Sequence, residues 1–302
     1  MANLKEVRDR IKSVMSTQQI TKAMKLVAAS KLRRAQQAIV QLRPYSEKLN
    51  AMLSNIMAFV EDDANSEYSV ERNVNKVCLV VITSNRGLCG AFNNHIIKRA
   101  MKYIEKNKQA DVICIGRKGY VYLKKHTDKI IKYYTDLFNR MDFTVSRDVA
   151  QFIKKIYLEE NYSEIDVIYN EFKSAIQQDV VEKQLFPIEL ESDKPEPEKN
   201  QSETTAEENE SEEKAATPDY IYEPDDETII DELGNKYIDK EIWRIMLESS
   251  AAEQGARMAA MDSATDNASD LIENLTLKYN RARQAGITKE IIEIASGAEA
   301  LK

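Results

Sequence analysis

The sequence is poor in the residues that form tight turns. It has 8 glycines and 6 prolines in 302 residues, well below the usual shares of roughly 7% and 5%. Because an all-β protein needs turn residues at every strand connection, this scarcity argues against that class. The longest apolar runs, such as 77–82, are far shorter than the ~20 residues that span a bilayer. Charges begin at Lys5, so we expect neither a secretion signal nor a transit peptide at the start.

Cysteine and histidine are equally scarce. The three cysteines are an odd number without a C-x-x-C motif, which argues against a disulfide framework and against a zinc site. Cys78 and Cys114 lie in β-like apolar runs, where we expect small buried hydrophobes. The two histidines, His95 and His126, have no second histidine at ligand spacing. We therefore predict no metal centre, no histidine-based triad and no cofactor.

Charge is abundant but unevenly distributed. The net charge is −7, yet residues 1–48 carry eleven Lys or Arg against three acids, a local net of +8. Residues 189–232 carry eighteen acids against three lysines, a local net of −15. Within that block, 191–218 has no large apolar residue and cannot offset the entropy of ordering, so we expect a disordered acidic insertion there. It is interpreted either as a passive spacer or as a salt-sensitive brake that attracts a basic neighbouring surface.

The N-terminal residues show the spacing of a coiled coil. A 3-4 stripe begins at Leu4 and is apolar at thirteen of seventeen positions over about eight heptads. The stripe is polar at Gln18, Thr21 and Lys25, where a second apolar set lies on a shifted face. We therefore expect one face to leave its helical partner there and to meet something else. The second set is Ile20, Met24 and Val27.

The C-terminal residues repeat this pattern. From Leu247 to Ala282 the stripe is apolar at nine of eleven positions, and 249–269 is dense in Ala and Ser, which permit close helix approach. About 165 residues separate the two helices, so we expect them to pair antiparallel, with both chain ends at one tip. Gly286 is unfavourable in a helix by ~1 kcal/mol relative to alanine, which places helicity through 285–288 in doubt.

Strands and helices alternate in the middle of the chain. The run 76–83 is continuous, apolar and β-branched, as expected of a buried parallel strand. This alternation predicts a doubly wound α/β domain. The elements expected after the first strand are a helix at 91–107, a strand at 111–115, a helix at 117–125, a strand at 129–134, a helix at 146–160, and strands at 165–169 and 179–190. The fold class is therefore an antiparallel coiled coil plus a central doubly wound, Rossmann-like α/β domain. The predicted divisions are 1–60 for the N-terminal helix, 74–190 for the α/β domain, 191–218 for the insertion, and 219–302 for a foot segment and the C-terminal helix.

A glycine loop follows the first strand. It reads G-x-x-G at Gly87 and Gly90, and is neither the dinucleotide fingerprint nor the P-loop. A loop at a helix N-terminus could cradle phosphate, but this motif is weak, and tight-turn packing is the favoured interpretation.

Five segments resemble the gamma subunit of F-type ATP synthase, bacterial type. Segments 1–11 and 20–36 are similar to its N-terminal helix, 83–93 to its central loop, and 248–268 and 277–294 to its C-terminal helix. One departure is Asn85, where that family usually has Asp. The resemblance covers essentially the whole chain except 191–218.

This resemblance implies a mechanical function. Such subunits are the central stalk that rotates inside a ring of three alpha and three beta subunits and couples proton flow to ATP synthesis or hydrolysis. The implied partners are that alpha–beta hexamer, the epsilon subunit and the membrane c-ring, with one copy of this chain per complex and no nucleic acid. The implied chain is non-catalytic and peripheral, at the cytoplasmic face of the bacterial inner membrane, which it reaches only through the complex.

The resemblance also implies contact residues, position by position. The positions matching contacts between the shaft and the beta subunits are Met24, Lys25, Arg257, Arg283, Gln284, Thr288 and Glu290. Those matching the foot near the epsilon subunit and the ring are Tyr220, Tyr222 and Glu223. Each could instead lie on a solvated face or in an intrahelical pair.

Two other functions stay open from the sequence. The chain could be a stand-alone coiled-coil adaptor that binds acidic partners through its basic N-terminal helix. It could also be a nucleotide-dependent enzyme that uses the α/β domain. Co-purification with three alpha and three beta chains favours the stalk, whereas ATP binding by the isolated chain favours the enzyme.

Overall fold

A computed structural model describes most of the chain. It covers residues 4–59, 68, 72, 74, 76–108, 110–135, 137, 141–160, 162–174, 177–188 and 226–300. The acidic stretch 191–218 and the predicted foot residues Tyr220, Tyr222 and Glu223 lie outside the described residues. Within the described part, no helix combines the length and the apolar character that crossing a bilayer requires.

Two long helices pair over most of their length. Helix α1 spans Leu4–Phe59 with 56 residues and α5, the last helix, spans Asp226–Ala300 with 75. Hydrogen bonds join Arg8 to Tyr279 at one end and Asn50 to Lys240 at the other. As the residue number in α1 rises from 8 to 50, the number of its partner in α5 falls from 279 to 240. The two helices are therefore antiparallel, as predicted. Since Tyr279 lies beside Arg8, α5 continues for about 17 residues, or ~25 Å, past the start of α1.

The predicted stripes are the contact faces of this pair. Every stripe position of α1 from Leu4 to Ile56 is buried or half-buried, and nearly all others are exposed. Every stripe position of α5 from Leu247 to Ala282 is also buried or half-buried. The 3-4 spacing therefore located the seam, because only those positions recur on one side of a helix.

The polar part of the α1 stripe corrects one expectation. We predicted that one face of α1 leaves its helical partner at Gln18, Thr21 and Lys25, but these three residues stay paired with α5. Gln18 donates to Ser269 at 2.7 Å, the Thr21 and Thr265 hydroxyls are 2.8 Å apart, and Lys25 forms an ion pair with Asp262. The prediction was wrong because α5 places a polar partner opposite each polar residue.

Helix α5 also runs unbroken through Gly286, so the doubt about 285–288 was misplaced. A Cβ added at Gly286 would meet no atom within 4 Å, so the glycine lies in open space on the helix surface. Its cost of ~1 kcal/mol is too small to end a helix of this length.

The central domain is a five-stranded sheet with order β3-β2-β1-β4-β5. In chain order its elements are β1 (Val77–Ile82), α2 (Phe92–Lys106), β2 (Asp111–Ile115), α3 (Arg117–Leu123), β3 (Ile130–Tyr134), α4 (Phe143–Glu159), β4 (Glu164–Phe172) and β5 (Gln178–Phe186). Strands β1 to β4 are parallel, whereas β5 pairs antiparallel with β4. A loop of only five residues joins β4 to β5, too short for the crossover that a parallel pair requires.

Element boundaries differ slightly from prediction. Helix α4 begins at Phe143 rather than 146, because the Asp142 side chain accepts a hydrogen bond from the Thr144 amide and caps the helix. Helix α3 ends at Leu123, two residues early. Strand β5 ends at Phe186 rather than 190, just before Pro187.

Helices cover both faces of the sheet, which confirms the doubly wound architecture. On one face, α4 and the first part of α5 pack on β1 and β4 through Ile153, Tyr157, Ile238 and Ile242. On the other face, α2 and α3 pack through residues such as Ile96 and Leu123. Ala252 and Ala256 of α5 join this second cluster, so α5 packs into the clusters on both faces of the sheet.

Candidate functional site

The loop after β1 is held in shape by its own side chains. The Ser84 amide donates to Asn93 Oδ1 at 3.0 Å, and its hydroxyl donates to the Arg86 carbonyl at 2.7 Å. Gly90 has φ +57° and Leu88 has φ +63°, so the chain turns through the left-handed region twice. These contacts support the interpretation of the glycine loop as a tight turn.

Two further glycines bring the neighbouring loop against β1. A Cβ on Gly116, which has φ +103°, would lie 2.0 Å from the Thr83 carbonyl oxygen. The Gly119 amide donates to Thr83 Oγ1 at 2.8 Å, and a Cβ on Gly119 would also meet that hydroxyl. Only glycine allows this close approach of the loops after β1 and β2.

The carboxyl edge of the sheet, where a doubly wound fold binds nucleotides, is occupied by the chain itself. The strand order reverses at β1 and β4, which marks the usual ligand crevice. There Asn170 of β4 donates to the Phe92 carbonyl at the start of α2 at 3.3 Å. Ser84 and Asn93 bond each other as described. No group of three or more His, Cys, Asp or Glu that could hold a metal lies within the described part of the chain.

Arg257 ties the β1 loop to α5. Its Nη1 donates to Glu253 Oε1 at 2.6 Å, and its Nη2 donates to the carbonyls of Arg86 at 3.3 Å and Gly87 at 3.4 Å. Only 11% of its side chain is exposed. Burial raises the pKa of the Glu253 carboxyl, while the Arg257 guanidinium opposes that rise. Arg257 thus holds the loop after β1 against α5.

An open groove lies between α1 and this loop. We call it the shaft–loop groove; its volume is about 480 Å³ and its lining includes Ile20, Met24, Val27, Leu88 and Arg257. Ile20 and Val27 are each 57% exposed, and Leu88 is 64% exposed. Ile20 and Val27 of the second apolar set are therefore uncovered within the described part of the chain, and Met24 between them is half-buried. Such an apolar face beside buried charges is suited to contact another protein.

The predicted contact residues fall into separate places. Met24 lines the shaft–loop groove, and Arg257 lies at its base. Lys25 lies about 100° further round α1 than Met24 and pairs with Asp262 of α5. The four remaining positions are exposed on the C-terminal part of α5, from the level at which α1 begins onward, and they are Arg283, Gln284, Thr288 and Glu290. The structure thus joins only Met24 and Arg257.

Sequence reasoning missed two features. Leu88 lies exposed at the tip of the loop in a left-handed conformation, and no residue pattern marked it. A charged cluster at Lys240, Glu241, Arg244 and Glu248 is largely buried in α5. Its i, i+3 and i, i+4 spacing inside an apolar segment was a signal that we did not use.

Comparison with known proteins gives consistent matches over the whole chain. A family model described as ATP synthase matches residues 3–301. The ATP synthase gamma chain of Prosthecochloris aestuarii is 46% identical over all of this chain and 99% of that protein. The gamma chain of Chlorobaculum parvum is 44% identical over the full length of both.

Solved structures share the fold. A chain of the Euglena gracilis mitochondrial ATP synthase, described as OSCP/F1/c-ring in rotational state 3, superposes with a TM-score of 0.65 and 18% identity over 99% of this chain and 94% of that one. A chain of the Tetrahymena thermophila mitochondrial ATP synthase, described as central stalk and c-ring, superposes with a TM-score of 0.58 and 23% identity over 81% and 99%.

Proposed function

The chain belongs to the ATP synthase gamma chain family, and we propose that it is the rotary central stalk of an F-type ATP synthase. It turns inside a ring of three alpha and three beta subunits. Its rotation couples proton flow through the membrane c-ring to ATP synthesis or hydrolysis at the beta-subunit sites.

The asymmetry of the shaft carries this proposal. Met24 lines an apolar groove, whereas the next residue, Lys25, lies about 100° further round α1 and pairs with Asp262. A rotor can change the state of a partner only if its faces interact differently with that partner's conformations. The helix pair α1–α5 presents chemically different surfaces at the level of residues 24 and 25, and so meets this requirement.

The proposed subunit is non-catalytic. At the carboxyl edge of β1 and β4 the Ser84 amide donates to Asn93 and the Asn170 amide donates to the Phe92 carbonyl, which supports a packing role for these side chains rather than an adenosine site. The reacting groups would then lie on the beta subunits. ATP binding by the isolated chain would contradict this part of the proposal.

The division of the chain follows from the same proposal. In this proposal, residues 1–60 and 219–302 would supply the helix pair and the foot, 74–190 the α/β domain that we call the base, and 191–218 a separate acidic insertion. Tyr220, Tyr222 and Glu223 would face the epsilon subunit and the c-ring. The assembly would hold this chain at the cytoplasmic face of the bacterial inner membrane as a peripheral subunit.

Two groups of residues would touch the hexamer. Met24 would meet the moving part of a beta subunit from the shaft–loop groove, with Lys25 beside it and Arg257 holding the loop. Arg283, Gln284, Thr288 and Glu290 lie on the protruding end of α5. That end also exposes Ile287, Ile291 and Ile294, at 48%, 60% and 72%, which supports a site of contact with a surrounding ring.

Native purification tests the stalk directly. Solubilised membranes carrying a tagged copy of this chain should yield one copy with three alpha and three beta chains, together with epsilon and the c-ring. Quantitative mass spectrometry measures the ratio. Recovery of the chain alone, or with unrelated acidic proteins, would favour the adaptor instead.

The groove contact has its own test. Met24→Lys places a cation beside Arg257 and against the beta subunit, so we expect assembled complexes that hydrolyse ATP but pump several-fold fewer protons per ATP. The measurement is proton uptake by inverted vesicles together with ATP hydrolysis. Met24→Leu keeps the apolar surface and should couple normally.

Met52→Lys is the matched control, since Met52 is 47% exposed on the same helix but outside the groove. It should leave coupling unchanged. If Met24→Lys pumps as well as wild type, the contact assigned to Met24 is wrong while the stalk itself still stands.

A further inference from the structure

Four lysines gather at the amino edge of the sheet, the edge at which the parallel strands β1 to β4 begin. Helices α2 and α3 return the chain to this edge, so the segments that follow them, 107–108 and 124–129, meet there. Lys129 Nζ donates to the Lys108 carbonyl at 3.2 Å, which joins the two segments. The four side chains are exposed, and we call them the lysine edge: Lys108, Lys124, Lys125 and Lys129.

The positive charge of the lysine edge is not neutralised by neighbouring carboxylates. Segments 107–108 and 124–129 carry a single acid, Asp128, against the four lysines. Among the described residues, none of these lysines belongs to an ion pair. The C-terminal ends of α2 and α3 each carry only about half a negative charge, so an excess of about two positive charges remains.

The rest of the amino edge is acidic on balance. Lys76 and Lys155 pair there with Glu160 at 3.1 Å and with Glu159 at 3.8 Å. Toward α2 and β4, two lysines are outnumbered by four carboxyls. These residues are Lys102 and Lys106 against Glu105, Asp111, Glu164 and Asp166. The lysine edge is therefore the positive corner of an otherwise acidic surface.

Both ends of the most acidic part of the chain leave from this same edge. Strand β5 ends there, because Phe186 pairs with the second residue of β4, and the Ile188 amide donates to the Tyr68 carbonyl at 2.9 Å. Helix α5 begins on the same side, since Asn235 accepts from the Tyr68 hydroxyl at 3.0 Å. Residues 189–225, which lie outside the described part, join these two points. We call them the acidic connection, because they carry fourteen acids against three lysines.

The lysine edge lies within reach of this connection. In the order β5-β4-β1-β2-β3, four strand spacings separate the two sides of the sheet, or ~19 Å. About six extended residues would span that distance, and the acidic connection is several times longer.

From these placements we propose that the acidic connection docks on the lysine edge of the same chain. Its carboxylates pair with lysines that have no carboxylate of their own, and attachment to the same chain keeps them at a high effective concentration. The acidic remainder of the amino edge repels the connection and so favours the lysine edge. Exposed ion pairs are individually weak and are screened by salt, so the docking needs many charges at once and weakens as ionic strength rises.

This docking would decide what the amino edge can bind, and it does not rest on the rotary function. With the acidic connection in place, other polyanions are kept from the lysine edge. High salt or a competing polyanion would displace the connection and expose the four lysines.

A carbodiimide, which couples lysine amines directly to carboxylates, tests the docking on the purified full-length chain. At low ionic strength we expect the carboxylates of 203–213 to couple with the lysine edge at least about fivefold more often than with Lys155. Lys155 controls for reach, because it lies on the same edge and its side chain is 65% exposed. Peptide mass spectrometry measures the ratio, and the preference should vanish at about 1 M salt, where the screening length is about 3 Å.

Three results of this coupling experiment would overturn the proposal. One is equal coupling to Lys155, which would indicate random contact. Another is preferential coupling to Lys48, which is exposed on the basic helix α1. The third comes from a mixture of isotope-labelled and unlabelled chains: predominant cross-links between the two isotopes would make a second copy of the chain the occupant.

Paired substitutions separate a local contact from general electrostatics. Lys124→Gln combined with Lys125→Gln removes two exposed cations of the lysine edge, and we expect coupling to Lys129 to fall by about threefold or more. Lys12→Gln combined with Lys22→Gln removes the same charge from exposed positions in the N-terminal half of α1. Its coupling should stay within about 1.5-fold of wild type. Equal losses in the two double variants, or no loss in either, would refute the docking.

Discussion

The two halves of the helix pair share one spacing but differ in surroundings. In the embedded half, α1 residues 28–56 pair with α5 residues 230–258, and α5 is also covered by the sheet. In the free half, α1 residues 4–25 pair with α5 residues 262–283, and only the seam is shielded. Residues 245–256 of α5 are all buried, whereas most residues after Asp262 are exposed.

The seam itself changes between the halves. In the embedded half it is lined by Leu32, Ala35 and Ala251, which form one apolar cluster. In the free half it includes the polar pairs Gln18–Ser269 and Thr21–Thr265. Polar pairs in a coiled coil specify alignment at a cost in stability. The α/β domain therefore holds the embedded half of the helix pair in place. The free half is less stable, but its polar pairs define the register of the two helices and its exposed faces can contact other subunits.

Truncating an isoleucine in each half should give the largest contrast. Ile242 is 1% exposed between α5 and the sheet, and Ile291 is 60% exposed on the protruding end. We expect Ile242→Ala to lower the free energy of unfolding by about 2–5 kcal/mol, because it leaves a cavity in close packing. Ile291→Ala should change it by no more than about 0.5 kcal/mol. Chemical denaturation of the full chain measures both, and similar losses would erase the distinction between the halves.

Two glycines sharpen the comparison with changes of opposite sign. Gly116→Ala forces a side chain into a left-handed conformation and against the Thr83 carbonyl, so it should destabilise by about 1–3 kcal/mol. Gly286→Ala adds a methyl in open space on a helix and should stabilise by about 1 kcal/mol. Thermal melts of the two variants report the sign. A stabilising Gly116→Ala would contradict the close approach of the two loops.

A half-buried carboxyl of the base, that of Asp166, should make the free energy of unfolding depend on pH. Burial raises the pKa of Asp166 from 3.8 to about 6, and a hydrogen bond from Tyr103 at 2.6 Å partly opposes that rise; Glu164 and Glu182 add to it and Lys106 reduces it. The folded chain holds the Asp166 proton more tightly than the unfolded chain does. The protonated carboxyl therefore contributes most to the free energy of unfolding below about pH 4, and this contribution is lost as the pH rises to about 6.

Between pH 4 and pH 7 the free energy of unfolding of the wild type should fall by on the order of 1 kcal/mol relative to that of Asp166→Asn, after allowance for the partial exposure of the carboxyl. Tyr103→Phe, which removes the opposing hydrogen bond, should move the transition to higher pH. Urea denaturation across this pH range tests both. An identical pH profile for wild type and Asp166→Asn would exclude this role.

The smallest expected effect concerns the thiols, all of which lie in the base. Cys78, Cys89 and Cys114 are free and buried. Burial raises the pKa of Cys114 to about 12 and also raises the pKa of Cys78 and of Cys89, so little reactive thiolate forms near neutral pH. Dithiol treatment should leave the ATPase rate of the complex unchanged. A reversible change that disappears when all three are replaced by serine would reveal a thiol switch.

Much of this architecture follows from spacing along the chain. The 3-4 recurrence from Leu4 and from Leu247 identified both faces of the helix pair, because a helix returns each such position to the same side. The apolar run of β1 and the alternation after it identified the doubly wound sheet. The terminal segments of the chain also carried the family resemblance that the full-length matches confirmed.

Other features depended on which residues meet across the fold. Gln18, Thr21 and Lys25 looked like a break in the seam until Ser269, Thr265 and Asp262 were placed opposite them. No local pattern encodes these partners, since about 240 residues separate each pair along the chain.

The partners of Arg257 also could not be predicted from the sequence around it. The family resemblance implied a contact with another subunit, which stays a prediction; only the tertiary structure placed its guanidinium against the carbonyls of a loop some 170 residues earlier. The buried carboxylate of Glu241 likewise gathers Lys183 of β5 together with Lys240 and Arg244 of α5. Helical and strand periodicity is a property of neighbours in sequence, so the amino-acid sequence determined the elements and their buried faces. The pairing of charges depends on distance in space, so only the tertiary structure decided which groups are shared, buried or left to contact a partner.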